Sequence, residues 1–213
     1  MKALVYTAVF GGYDAPKTHV PQSIQVDYVY FNEAHCPYLP AHIRDLHPRL
    51  IAKYFKLQPY VMPAYRNYDY VVWIDGSGTL LSPDSLTALI SYCKSGYAVF
   101  RHPNRDCIYD EADFCKDFEK YRSQPIEQQV DAYRRDGYPP HNGLYACGVI
   151  VRDTKKDFTS VDSDWLTENL KWSYQDQLSF PYILWKRGME VDVIALDLIH
   201  NDYVSFIRED WTK

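Results

Sequence analysis

Basic charge is in short supply in this chain of 213 residues: lysine and arginine number 23 against 28 aspartates and glutamates, a net charge of −5. A protein whose main task is to grip nucleic acid neutralises phosphates with a basic face. This balance argues against a nucleic-acid partner while leaving room for a small cationic pocket. Cysteine is sparse and unpatterned. Cys36, Cys93, Cys107, Cys115 and Cys147 are odd in number and form no C-x-x-C pair. That pattern argues against a disulfide framework or a zinc site and fits reduced thiols in a cytoplasmic protein. A long hydrophobic run is also missing. The apolar stretch Ala3 to Phe10 is too short to span a bilayer and lacks a signal-peptide cleavage pattern, so no membrane span is expected. Without internal repeats or low-complexity linkers, one domain over residues 1–213 is expected.

What is abundant is tyrosine, at 20 residues. Its flat apolar face and polar tip suit both a core rim and a sugar ring. The hydrophobic pattern alternates between strands and helices. Leu4 to Phe10, Val26 to Phe31, Tyr70 to Ile74, Tyr97 to Arg101, Leu144 to Val151 and Glu190 to Leu196 read as strands. Helices are expected from Pro48, from Ser82-Pro83 to about Lys94, over Asp110 to Asp136 with a break near Pro125, and over Trp165 to Trp172 and Tyr174 to Lys186. Gly137 and Gly188 stand where helices end. The alternation implies an α/β fold with a mostly parallel central sheet flanked by helices. Such sheets bind ligands beyond the carboxyl ends of their strands. That points to Gly11–Tyr13, to Asp75–Gly78 and to the loop from His102.

The segment Val71-Val72-Trp73-Ile74-Asp75-Gly76-Ser77 carries the strongest chemical signal. A carboxylate directly after a buried strand is held rigidly at the ligand edge, and Gly76 lets backbone approach a ligand. Asp75 is suited to organise a diphosphate, directly or through a divalent cation such as Mn²⁺ or Mg²⁺ acting as a Lewis acid; the alternative is a simple turn. His200, after the last strand, is a candidate third metal ligand or a surface histidine. Arg49 and Lys53 stand one helical turn apart and reach toward phosphate or toward solvent. His102, Asn104, Arg105 and Asp106 crowd one loop; Arg105 suits an anion and Asp106 a sugar hydroxyl, or the two form a solvated pair. Asn142 and Gly143 precede a strand as hydroxyl binders or a turn. Trp172, Gln175, Asp176 and Gln177 join an aromatic face to amide and carboxylate groups near a helix start, either a sugar site or a capping arrangement.

In chain order, these segments resemble a hexosyltransferase-like family long catalogued as a domain of unknown function. The resemblance rests on Val5-Tyr6-Thr7-Ala8-Val9-Phe10-Gly11-Gly12-Tyr13-Asp14, Pro48-Arg49-Leu50-Ile51-Ala52-Lys53, Trp73-Ile74-Asp75-Gly76-Ser77, His102-Pro103-Asn104-Arg105-Asp106-Cys107, Asn142-Gly143-Leu144 and Gln175-Asp176-Gln177. Plant members are associated with pectic mucilage and are similar to rhamnogalacturonan galacturonosyltransferases. The resemblance implies a GT-A fold, a nucleotide-sugar donor of the UDP type, a glycan or other hydroxyl acceptor, and retention of anomeric configuration. On that reading Thr7, Ala8, Phe10 and Tyr13 face the nucleoside, Asp176 and Gln177 lie near the anomeric carbon, and Asp75, Ser77 and His200 stand where a metal is held. Ser77 replaces the second acid of an Asp-x-Asp pair, which weakens the case for metal. A non-catalytic nucleotide or glycan-binding module and a glycoside hydrolase with two facing carboxyls are the competing readings.

Overall fold

The computed structural model describes residues 1–206. Its strands are β1 (Lys2–Ala8), β2 (Gln25–Phe31), β3 (Tyr70–Ile74), β4 (Gly78–Leu80), β5 (Tyr97–Arg101), β6 (Tyr145–Asp153), β7 (Asp192–Ile194) and β8 (Val204–Phe206). Its helices are α1 (Ala41–Arg44), α2 (Pro48–Leu57), α3 (Ser85–Ser91), α4 (Ile108–Cys115), α5 (Ile126–Arg135), α6 (Thr159–Lys171) and α7 (Asp176–Arg187). Six strands form the central sheet in the order β2-β1-β3-β6-β5-β7, and β4 pairs with β8 in a small second sheet. β1 runs parallel to β2 and β3, and β5 parallel to β7, whereas β6 is antiparallel to both of its neighbours.

Alternation along the strands sorts side chains into two cores. Leu4, Tyr6, Val71, Trp73, Val99 and Ile150 face Phe55 of α2, Trp165 of α6 and Phe180 of α7. Ala3, Val5, Val72, Ala98, Val149 and Val151 face Leu86 and Leu89 of α3, with Leu80 and Val204 of the small sheet. The mixed α/β architecture expected from the pattern is therefore present, with helices over both faces of a mostly parallel sheet.

β3 and β5 fall where the apolar runs place them. The long helical stretch divides into α4 and α5, with Pro125 directly before α5 and Gly137 in the left-handed region at φ 86° just beyond it. The helix expected from Ser82 begins later, at Ser85, because Ser82 Oγ accepts the Asp84 amide at 3.2 Å and forms a turn first. Reversal of β6 is not foreseeable from its sequence, since a strand buried on both faces carries no mark of its direction.

Arg152, on β6, is fully buried in the α2/α6/α7 layer. It forks onto Asp162 of α6 through Nε and Nη2, both at 2.9 Å. Its guanidinium also donates to the hydroxyls of Tyr6 (3.1 Å) and Tyr97 (3.0 Å). Tyr97 and Tyr60 donate in turn to Asp162, and Tyr6 to the carbonyl of Lys56 at 2.9 Å. A buried ion pair is sensitive to losing one partner and far less so to losing both. Arg152→Ala is therefore expected to destabilise the chain by about 3–5 kcal/mol in urea unfolding. Replacing the pair together, Arg152→Met with Asp162→Leu, should recover most of that loss; a double variant as unstable as the single one would contradict this account.

Candidate functional site

A cleft of about 1000 Å³ opens over the carboxyl ends of β1, β3 and β5. Three elements supply its charged wall. The first is α2, an amphipathic helix started by His47, whose Nδ1 accepts the Arg49 amide at 3.2 Å, and by Pro48 in the first turn. Arg49, Lys53 and Lys56 follow at i, i+4 and i+7 and so lie along one face. The second is the end of β3, where the Asp75 amide donates to Gly148 O at 2.8 Å across the β3–β6 pair. The third is the start of α7, whose first residue is Asp176.

These elements converge on one ammonium group. Lys56 Nζ lies 2.6 Å from Asp176 Oδ2 and 3.1 Å from Asp75 Oδ1, and its side chain is 1% exposed. Lys53 Nζ also binds Asp176 Oδ2, at 2.5 Å, and Trp73 Nε1 donates to Asp75 Oδ1 at 2.6 Å. Burial alone would raise the Asp176 pKa, but the charges of Lys53 and Lys56 and their hydrogen bonds outweigh it. The carboxyl is held well below its usual range. Burial works against the Lys56 cation, and Asp176 and Asp75 more than compensate, so its pKa is raised. Lys53 is shifted the other way, by burial first and by the neighbouring Lys56 charge, against the pull of Asp176.

The cleft floor is mid-strand rather than loop. Cys147 and Gly148 of the reversed β6 pass beneath Asp75. A Cβ on Gly148 would come within 3.0 Å of the Phe206 ring and rest in ordinary contact, 3.6 Å, with Asp75 Oδ2, so a side chain there would press on the ring. Burial, with Asp176 adding to it, drives the Cys147 thiol pKa well up, which keeps the sulfur protonated. At the mouth, Gly11 has φ 75° and a Cβ there would meet Pro48 at 2.9 Å, so only glycine brings β1's loop this close to α2. Arg49 lies over the Tyr13 ring at 4.2 Å, and Phe10 is buried against Phe55.

A second polar network forms the far wall. Glu111 of α4, 3% exposed, accepts Arg105 Nε at 2.7 Å and Gln175 Nε2 at 2.8 Å, with His102 Nε2 at 3.7 Å. Gln175 Nε2 also donates to Gln177 Oε1 at 2.8 Å, and Tyr121 donates to Gln175 Oε1 at 3.0 Å. His102 Nδ1 accepts the amides of Asn104 and Arg105 and folds the loop onto itself.

Of the residues singled out in the sequence, the cleft gathers Ala8, Phe10, Tyr13, Arg49, Lys53, Asp75, Gly76, Ser77, His102, Asn104, Arg105, Gln175, Asp176 and Gln177. Thr7 points to the opposite face, into a smaller cavity of about 300 Å³ that also reaches Asp75 and Gly76. Asp106, Asn142 and Gly143 lie outside the cleft lining: Asp106 pairs with His141 at 2.8 Å, and the Gly143 amide donates to Asp106 O at 3.0 Å. Trp172 packs against the core with Lys171 over its ring. His200 is also outside the lining. Its side chain is 84% exposed, and Asp197 holds it outward by accepting its backbone amide at 3.0 Å and pairing with the imidazole at 3.8 Å.

Asp75 and Ser77 line the cleft and His200 does not, so the three are not gathered into one cluster. Asp75 Oδ1 is already engaged by an ammonium and an indole N–H, and the imidazole is turned to solvent. Among the described residues, the one trio of His, Cys, Asp or Glu within ligating reach is elsewhere, at Cys107, Asp110 and His141.

Sequence reasoning missed Lys56, Glu111 and the β6 floor. Lys56 did leave a trace, as a lysine within the otherwise apolar run Tyr54-Phe55-Lys56-Leu57, about one turn beyond Lys53. Removing it takes one cation from Asp75 and one of two from Asp176. Lys56→Ala is expected to lose about 3 kcal/mol at pH 7 in urea unfolding. Because the Asp176 pKa is depressed on folding, its contribution is complete above the ordinary carboxyl value of 3.8 and is lost only as pH falls through the lower folded value. The gap between wild type and Lys56→Ala should thus close only in strong acid; a gap that closes near neutrality would contradict the ion cluster.

Residues 53–204 match the profile of the family described as TOD1/MUCI70, glycosyltransferase-like domain. A search of curated proteins finds no match. Among solved structures, the apo structure of the bifunctional glycosyltransferase WbbM is similar with a TM-score of 0.41 and 15% identity. The similarity covers 78% of this chain and 28% of that one, so the chain spans under a third of that protein's length. With the profile matched over more than two thirds of its residues, the chain belongs to the TOD1/MUCI70 glycosyltransferase-like domain family.

Proposed function

We propose that the chain is a GT-A-type glycosyltransferase that moves a hexose-type sugar from a UDP-sugar to a hydroxyl of a glycan or small acceptor, with retention. The observation that carries this reading is the line Arg49–Lys53–Lys56 on α2, in direct contact through its lysines with the buried carboxylate Asp176, beside a cleft at the carboxyl edge of the sheet. Transfer separates charge: the bond from C1 to the β-phosphate oxygen breaks, negative charge builds on the diphosphate and positive charge on the sugar ring. Arg49 and Lys53 meet the first and the Asp176 carboxylate meets the second. Lys56 is a positioning residue that fixes both aspartates. The acceptor oxygen bonds C1, and its proton leaves with the diphosphate. Phe10 and Tyr13 flank the nucleoside, while Gln175 and Gln177, tied to Glu111, hold sugar hydroxyls.

Lys53 and Lys56 bring positive charge to Asp75 and Asp176, so this reading lets side-chain cations, rather than a metal, meet the diphosphate charge in the transfer step. A glycoside hydrolase requires one carboxyl kept protonated as an acid. Asp176 is instead held as a carboxylate by Lys53 and Lys56. The five free thiols suit a reducing compartment, in keeping with cytoplasmic work.

Calorimetric titration should show UDP binding in preference to GDP, CDP and ADP, with affinity unchanged by added Mn²⁺. Arg49→Ala and Lys53→Ala should each weaken UDP binding by about tenfold, the loss expected for a charge-assisted hydrogen bond. Asp176→Asn should retain UDP binding and lose transfer. Equal binding of all four nucleotides would overturn the donor assignment. Tight UDP binding without transfer to any of a broad acceptor panel would favour a non-catalytic binding module.

A further inference from the structure

Three side chains outside the cleft come together from two segments. Cys107 immediately precedes α4 and Asp110 lies in its first turn, three residues on and so on the same side of the helix. His141 comes from the loop before β6. One ligand atom from each lies within 4.8 Å of the others. A tetrahedral ion with metal–ligand bonds of 2.0–2.3 Å needs its ligand atoms roughly 3.3–3.8 Å apart, so small rotamer adjustments close the set. His141 is the one non-glycine residue among those described with positive φ, 53°, and its Nδ1 lies 2.8 Å from Asp106 Oδ1. A carboxylate on one imidazole nitrogen fixes the ring and its tautomer, the arrangement that supports a metal-bound histidine through its other nitrogen. Cys107 is 2% exposed, while Asp110 and His141 are exposed, so the sulfur forms the base of a site open to solvent above.

We propose that Cys107, Asp110 and His141 bind a zinc ion, with water in the fourth position and Asp106 as the carboxylate behind His141. A thiolate, an imidazole and one carboxylate select a borderline-soft tetrahedral cation and disfavour Mg²⁺ and Ca²⁺, which take oxygen ligands. Thiolate and carboxylate together balance the double positive charge, and the thiol proton passes to solvent on binding. The cysteine spacing argued against zinc because it is a test for paired cysteines, and this set uses one. The ion would join the loop that carries His102, Asn104 and Arg105 into the cleft to the loop that leads into β6. The proposal does not depend on the sugar-transfer reading.

The test is titration of the full chain, stripped by chelator, with Zn²⁺ alone against a chromophoric competitor. One equivalent should bind tightly. His141→Ala and Asp110→Asn, both at exposed positions and checked for folding by circular dichroism, should lose most of that affinity, and Asp106→Asn should weaken it by roughly 10–100-fold. With Co²⁺ in place of Zn²⁺, wild type should show a thiolate charge-transfer band that Cys107→Ser lacks; should that variant fail to fold, the two exposed substitutions still decide the matter. Zinc affinity that is unchanged in folded His141→Ala, or a wild-type chain that fails to compete for zinc, overturns the proposal.

Discussion

The ammonium of Lys56, fixed between the carboxylates of Asp75 and Asp176, is the interaction on which the rest of the cleft depends. An isolated charge at that depth is strongly disfavoured, so the lysine and its two partners exist there only together. The main chain at the same residue is tied down from behind. Its carbonyl accepts the Tyr6 hydroxyl, which in turn accepts from Arg152, itself locked to Asp162. One continuous polar chain thus runs from the buried helix layer to the floor of the cleft, and it sets where β1, β3, α2 and α7 stand relative to one another.

The two buried networks differ in what they serve. Arg152, Asp162, Tyr6 and Tyr97 satisfy one another inside the helix layer, away from the cleft lining. Arg105, Glu111, Gln175 and Gln177 satisfy one another while remaining part of the cleft wall. Interlocked amides and carboxylates of this kind keep fixed orientations, and fixed orientation is what hydroxyl recognition requires. The same residues that look like a sugar-binding cluster are therefore already organised in the free chain.

Much of this was legible in the sequence wherever a local rule applied. Alternating apolar runs gave the layered α/β fold, and the strand-end rule pointed to Asp75, to the Gly11 loop and to His102. Legibility failed where position depends on partners distant in the chain. Lys56 reads as a lysine in a helix until Asp176, 120 residues away, reaches it. His200 sits in the loop between β7 and β8, beyond the strand that the apolar pattern makes the last, and Asp197 three residues earlier turns it outward. Asp106 and Asn142 fell in motifs that look like hydroxyl binders, and the fold carried them past the rim of the cleft. Spacing in sequence identified which loops gather at the sheet edge, and tertiary pairing decided which side chains in those loops face inward.

The reversed strand β6 has a consequence for how such a site is able to diversify. In a wholly parallel sheet every residue at the ligand edge belongs to a loop, and loops accept insertions and substitutions readily. Here the floor is Cys147-Gly148, within β6 at the point where its pairing with β5 shifts register, with the Gly148 carbonyl held by the Asp75 amide. A floor set inside a strand resists change more than a loop does, so novelty in substrate choice is channelled to the rim, above all to the largely exposed 12–17 segment.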